Sequence, residues 1–349
     1  MNSITVSAPG KLMLFGEHAV VYGYPCIVTA VDQRLFLTVK KVKVNQFQLA
    51  AKDVGVTNYK KPLDQIGKGD IPKGAMFIEM AIKNFLFSHP ACPPLAGTSE
   101  ESKFEFGIKI STKSDFSSLF GFGSSSAATV CTIKALSELF EIRLTKKEIF
   151  EISYKTVLDI QKTGSGVDVA AAVFGGTLSF VIDGKIIESL SSNALPLIVG
   201  YSGIKADTVT VLTVVKEKTK KYPIVINGVY KEIAKLILLA KTAITASDYE
   251  TLGYLMNFNQ GYLESLGVST EKLSRMIYAA RDAGAYGAKL SGAGGGDCMI
   301  AITRENGKEK RPARNASENV AGGVKKAIEK AGGKIIDVRT NAEGVRREV

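Results

Sequence analysis

At 349 residues the chain has room for about two domains, and its 45% hydrophobic and 23% charged residues match an ordinary soluble globular protein. A formal charge of +11 favours anionic ligands, yet the basic residues are scattered apart from short clusters at 40–43, 216–221 and 308–314. No nucleic-acid-binding pattern accompanies them and no run is long and apolar enough to span a bilayer, so neither a nucleic acid nor a membrane is an expected partner.

Four solitary cysteines (Cys26, Cys92, Cys131, Cys298) and only two histidines exclude Cys-x-x-Cys pairs and a histidine-rich metal site. Unpaired cysteines in apolar runs fit a reducing compartment, and the N-terminus enters strand-like sequence directly, so a cytoplasmic protein is expected.

In chain order, residues 2–8 alternate as a strand that Pro9-Gly10 should break, followed by Phe15-Gly-Glu-His18 and a turn at 23–25. Residues 28–44 are β-rich, giving antiparallel strands before any strong helix and hence an α+β fold. A helix is predicted over 74–88, a surface loop over 89–102 and a strand over 104–110. Helices follow at 125–141 and 145–161, then strands at 177–182 and 195–201, with a domain boundary expected near 183–195. Helices near 205–221, 228–245, 248–265 and 270–283 precede strands at 287–290 and 298–303. A charged, mobile segment at 304–316, a last helix and a strand at 334–339 complete the reading.

Gly121-Phe-Gly-Ser-Ser-Ser-Ala-Ala128 dominates this layout. Glycine permits turns that a Cβ forbids and lets a ligand approach the backbone. The serines bring hydroxyls to a helix start, where the first amides have no partner inside the helix and the dipole adds partial positive charge. Together these features make a seat for phosphate. A Walker loop it is not, since no lysine follows the glycines. Two further turns frame the chain: Gly164-Ser-Gly-Val-Asp168, with one carboxylate, and Ser291-Gly-Ala-Gly-Gly-Gly-Asp297, with more glycine than a strand-to-strand turn needs.

Three of these stretches, Pro9-Gly-Lys11 with Phe15-Gly-Glu-His-Ala-Val-Val-Tyr-Gly23, the 121–128 loop and the 291–297 loop, occur in the order found in the GHMP kinases. The chain resembles that family from about residue 5 to Glu343-Gly-Val-Arg346. The resemblance implies a two-domain α+β fold, with halves at 1–190 and 191–349, and nucleotide and substrate in the cleft between them. It implies ATP- and Mg2+-dependent phosphorylation of a small-molecule alcohol by a monomer or homodimer.

Phosphoryl transfer requires held phosphates, neutralised charge and an oriented hydroxyl. By resemblance, Gly121, Gly123, Ser124, Ser125, Ser126 and Ala127 hold the nucleotide phosphates, and Ser125 also reaches the metal, with Ser126 a close competitor. Lys11 and Asp168 match the catalytic pair; about 4 Å apart they would attract by roughly 4 kcal/mol at an effective dielectric of 20. Asp168 would then orient the attacking hydroxyl or accept its proton. Glu17 is expected beside the Lys11 network, His18 at the substrate, Thr208 as a further substrate contact, and Gly292, Gly294 and Gly295 along the phosphates.

The first stretch is most similar to the mevalonate kinase branch, which makes mevalonate or a close relative the expected substrate. The residues 161–175 and Gly296-Asp-Cys298 are more similar to the phosphomevalonate kinase branch, and a sugar kinase is a third reading. One position departs from the mevalonate kinase pattern: a magnesium-binding glutamate is expected eleven residues before Asp168, where Val157 stands. Asp159 lies about 200° further round a helix and cannot simply replace it.

Overall fold

The computed structural model describes residues 3–89, 106–304 and 320–348. The expected loop at 89–102 and charged segment at 304–316 lie almost wholly outside the described residues.

Strands β1 (Ile4–Phe15) and β2 (Cys26–Val42) pair antiparallel over nearly their full lengths and form the centre of an eight-stranded sheet. The hairpin β3 (Gln46–Ala51) and β4 (Val56–Pro62) adds to it through β5 (Gly107–Ser114), which β3 joins in parallel. Helices α1 (Met76–Ser88), α2 (Ser124–Leu139), α3 (Lys146–Gln161) and α4 (Val167–Phe174) pack together against the sheet. A second hairpin, β6 (Thr177–Val181) and β7 (Ile186–Leu190), extends β2.

A four-stranded sheet of order β11-β8-β10-β9 follows: β8 (Leu197–Tyr201), β9 (Gly287–Ser291), β10 (Cys298–Ile302) and β11 (Lys334–Ile336). It is accompanied by α5 (Thr208–Lys221), α6 (Pro223–Thr245), α7 (Tyr249–Ser265), α8 (Glu271–Asp282) and α9 (Val320–Lys330). The last strand, β12 (Arg346–Arg347), returns to β1 in the first sheet. The architecture is α+β, as the order of strands and helices predicts.

Pro9-Gly10 does not break β1. The pairing with β2 instead slips between Pro9 and Gly10, and the strand continues to Phe15. A proline lacks the N–H for a ladder bond, and a register slip accommodates that loss. Because β12 pairs only with Val6 and Ser7, the outer edge of β1 beyond them is open to other partners. The Lys11 N–H uses that edge, donating to the Phe122 carbonyl at 3.0 Å. The uninterrupted strand thus brings the lysine to the glycine-serine loop.

Candidate active site

The 121–123 turn depends on glycine. Gly121 and Gly123 have φ of 76° and 79°, in the left-handed region that side chains disfavour. Phe122 between them is buried against Phe116 and Phe120 and anchors the turn. Gly123 is the N-cap of α2, no side chain caps the helix, and its first internal bond runs from the Ala127 N–H to the Gly123 carbonyl at 3.0 Å. The amides of Ser124, Ser125 and Ser126 therefore have no acceptor within the helix. Ser124 and Ser125 are half-buried and Ser126 is buried. This is a cradle of the kind that holds phosphate.

Lys11 and Asp168 meet beside the cradle. The Lys11 ammonium lies 3.4 Å from the Asp168 carboxylate, with the lysine side chain 9% and the aspartate 38% exposed. A Cβ placed on Gly123 would stand 3.4 Å from Asp168 Oδ2 and 3.5 Å from Lys11 Cγ, so the start of α2 touches both. Asp168 comes from the first turn of α4, whose N-cap Gly166 has φ 87°. Three separated stretches of sequence converge here: the open edge of β1, the glycine N-cap of α2 and that of α4.

Glu17 and His18 are held by the third glycine-rich stretch. Glu17, expected beside the Lys11 network, forms an ion pair with Lys289 of β9, both side chains essentially inaccessible. The Lys289 ammonium also donates to the Leu290 carbonyl. Burial pulls the Lys289 pKa below its usual range while Glu17 opposes the shift. Nothing in the first stretch points to Lys289; its signal is a lone cation inside the apolar run Gly287-Ala-Lys-Leu290. His18, at φ 61° and ψ −49°, shares a hydrogen bond at 2.8 Å between Nε2 and the Ala293 carbonyl. Its Nδ1 is buried without a partner among the described residues. Burial lowers the His18 pKa below its usual range, which favours the neutral ring.

Asp297 closes the third stretch and ties it to the cradle. Its carboxylate accepts from the Ala206 N–H at 2.9 Å and pairs with Lys205 at 3.2 Å. A Cβ on Gly121 would collide with that carboxylate. Residues 204–208 therefore adjoin the phosphate cradle, and exposed Thr208 begins α5 beside its cap Asp207. Three of the loop's glycines are explained by protein contacts: a Cβ would strike Val268 at Gly294, Val211 at Gly295 and Ile204 at Gly296. Gly292 alone faces open space.

For a metal, the described residues hold no group of three or more His, Cys, Asp or Glu side chains. Val157 is packed in the core, and the Asp159 carboxylate accepts from the Asn84 amide at 2.8 Å. The hard oxygen donors at the cradle are the hydroxyls of Ser124, Ser125 and Ser126, with the Asp168 carboxylate beside them. That sparse set fits magnesium, which keeps several waters and takes one or two protein ligands plus phosphates.

Residues 95–176 match the family of GHMP kinases N terminal domains, and residues 240–326 match GHMP kinases C terminal. The chain is 35% identical to the mevalonate kinase of Pyrococcus furiosus, an alignment covering 99% of this chain and 98% of that protein. The crystal structure of Methanococcus jannaschii mevalonate kinase superposes with a TM-score of 0.77 at 26% identity, covering 97% of this chain and 98% of that one. The Lin0012 protein of Listeria innocua shares the fold, with a TM-score of 0.84 at 22% identity over 99% of both chains.

Proposed function

The chain belongs to the GHMP kinases and is an ATP-dependent small-molecule kinase, and from that premise we propose that it converts mevalonate to mevalonate 5-phosphate. The observation that carries the reading is the 35% identity to a mevalonate kinase along 99% of the chain. On this reading residues 1–190 and 191–349 are the two halves, and the protein works in the cytoplasm as a monomer or homodimer.

In this reaction the mevalonate 5-hydroxyl oxygen bonds to the γ-phosphorus of ATP, the bond to the β–γ bridging oxygen breaks, and ADP departs. The amides and hydroxyls of 124–126 hold the phosphates, with Gly121, Gly123, Ala127 and the third-stretch residues Gly292, Gly294 and Gly295 shaping the seat. Asp168 orients the hydroxyl and receives its proton, while Lys11 beside it offsets charge on the transferring group. Neutral His18 serves the substrate from the first stretch, Glu17 anchors His18's segment through Lys289, and Thr208 adds a contact from the start of α5. Ser125 would hold Mg2+ together with the phosphates, and the chemistry the ion would supply is to neutralise phosphate charge.

The phosphomevalonate reading needs cations for a second phosphate. Three candidate cations are committed elsewhere: Lys289 to Glu17, Lys205 to Asp297, and buried Arg34 to Ser7 and the carbonyls of Glu343 and Gly344. That commitment supports an acceptor with an uncharged end. The test is ADP release by purified protein with mevalonate. Turnover is expected, and Asp168→Asn should lower kcat by about 10² or more while leaving ATP affinity within a few-fold. Absence of turnover with mevalonate would refute the proposal.

A further inference from the structure

Residues outside the cleft hold the turn that delivers Asp168. Tyr154 of α3 is buried, and its hydroxyl lies 2.8 Å from both the Gly164 carbonyl and an Asp183 carboxylate oxygen. With one proton, that hydroxyl is shared between two acceptors, one on each of two separate turns. Asp183 closes the circuit by donating its N–H to the Ser165 carbonyl at 3.2 Å. Beneath the turn the Tyr154 ring lies so close that a Cβ on Gly166 would stand 3.0 Å from a ring carbon. The ring is itself stacked on Phe150 at 5.7 Å between centroids.

Asp183 accepts a cost to stand there, since its φ of 64° is unusual for a residue with a side chain. It occupies the tip of the β6–β7 hairpin, in a segment whose composition suggests only a linker. Gly166 caps α4 two residues before Asp168. The half-exposed Asp168 side chain meets Lys11 at 3.4 Å, but its backbone position is inherited from the 164–166 turn. Misplacement of a reacting group by 1 Å can cost about 10²-fold in rate.

We infer that Tyr154 and Asp183 are positioning residues that set Asp168 against Lys11 and the start of α2. The inference rests on the role proposed for Asp168. Tyr154→Phe keeps the ring and removes the hydroxyl, so kcat should fall about tenfold while KM for ATP changes less than twofold. Asp183→Ala should lose a similar amount, and Asp183→Asn should recover most of it, because asparagine tolerates the left-handed region and its amide oxygen still accepts. In an Asp168→Asn background, Tyr154→Phe should cause almost no further loss, since the hydroxyl acts through Asp168.

Two results would overturn the inference. One is a Tyr154→Phe protein with lowered Tm but kcat within twofold of wild type, and Asp183→Ala behaving alike. The other is multiplication of the Tyr154→Phe and Asp168→Asn losses in the double variant. Wild-type turnover in Asp168→Asn alone would be a separate failure, removing the role of Asp168 and the inference with it.

Discussion

Lys289 and Glu17 form an ion pair in which the side chains are 0% and 1% exposed, linking β9 to the segment that follows β1. The pair bridges the two sheets, since β9 belongs to the smaller and β1 to the larger. A second tie runs parallel to it, from the Ser291 hydroxyl to the Met13 carbonyl at 3.0 Å. His18 is thus held from below by its neighbour Glu17 and from the side by Ala293. Breaking one partner of a buried pair leaves the other charged, buried and uncompensated, which costs more than replacing both.

Lys289→Met should therefore destabilise the protein by about 3–5 kcal/mol in urea unfolding. Combining it with Glu17→Gln should restore at least half of the loss. A double variant no more stable than Lys289→Met would show that the loss comes from packing rather than from the abandoned carboxylate.

His18 supplies a pH dependence whose sign follows from its surroundings. Burial depresses its pKa below 6.5, so above that value the ring is neutral in both folded and unfolded chains. As pH falls below 6.5 the unfolded chain takes up the proton first, and stability declines until the folded pKa is passed. Urea midpoints at pH 7.5 and 5.5 should differ less in His18→Asn than in wild type. An unchanged difference would mean that His18 does not carry the effect.

Much of the site was legible in the sequence because its parts are backbone features with residue signatures. Gly121, Gly123 and Gly166 mark left-handed turns, and Gly123 and Gly166 sit where helices begin. The helix limits at 76–88, 124–139 and 249–265 follow from apolar periodicity and lie within two residues of those expected. The β3–β4 hairpin was not read, because β4 lies on the sheet edge with Val56 as its one buried residue and shows little alternation. Helix α6 begins at Pro223 rather than near the expected 228, a proline at the first helical position being a start signal. Lys289 and Asp183 were missed for another reason. Their roles come from partners far away in sequence, Glu17 and Tyr154, and no local pattern encodes such a pairing.

Asp159 bears on the metal. Its carboxylate is bonded to Asn84, away from the pair at Lys11 and Asp168. Asp159→Ala should leave the magnesium concentration for half-maximal activity within about twofold, in keeping with an ion held chiefly by phosphates and water. A tenfold increase would place Asp159 among the ligands.

The central claim concerns the acceptor, and a comparison of two substrates on one enzyme tests it most directly. Mevalonate 5-phosphate carries nearly two more negative charges than mevalonate, and a pocket built for it needs committed cations. Lys205 spends its charge on Asp297 at 3.2 Å, and Arg34 is buried among carbonyls and Ser7. The value of kcat/KM for mevalonate should exceed that for mevalonate 5-phosphate by at least about 10², near 2.7 kcal/mol of discrimination. An equal or reversed ratio, above all one in which Lys205→Ala abolishes only the phosphorylated reaction, would contradict the account and make this chain a phosphomevalonate kinase.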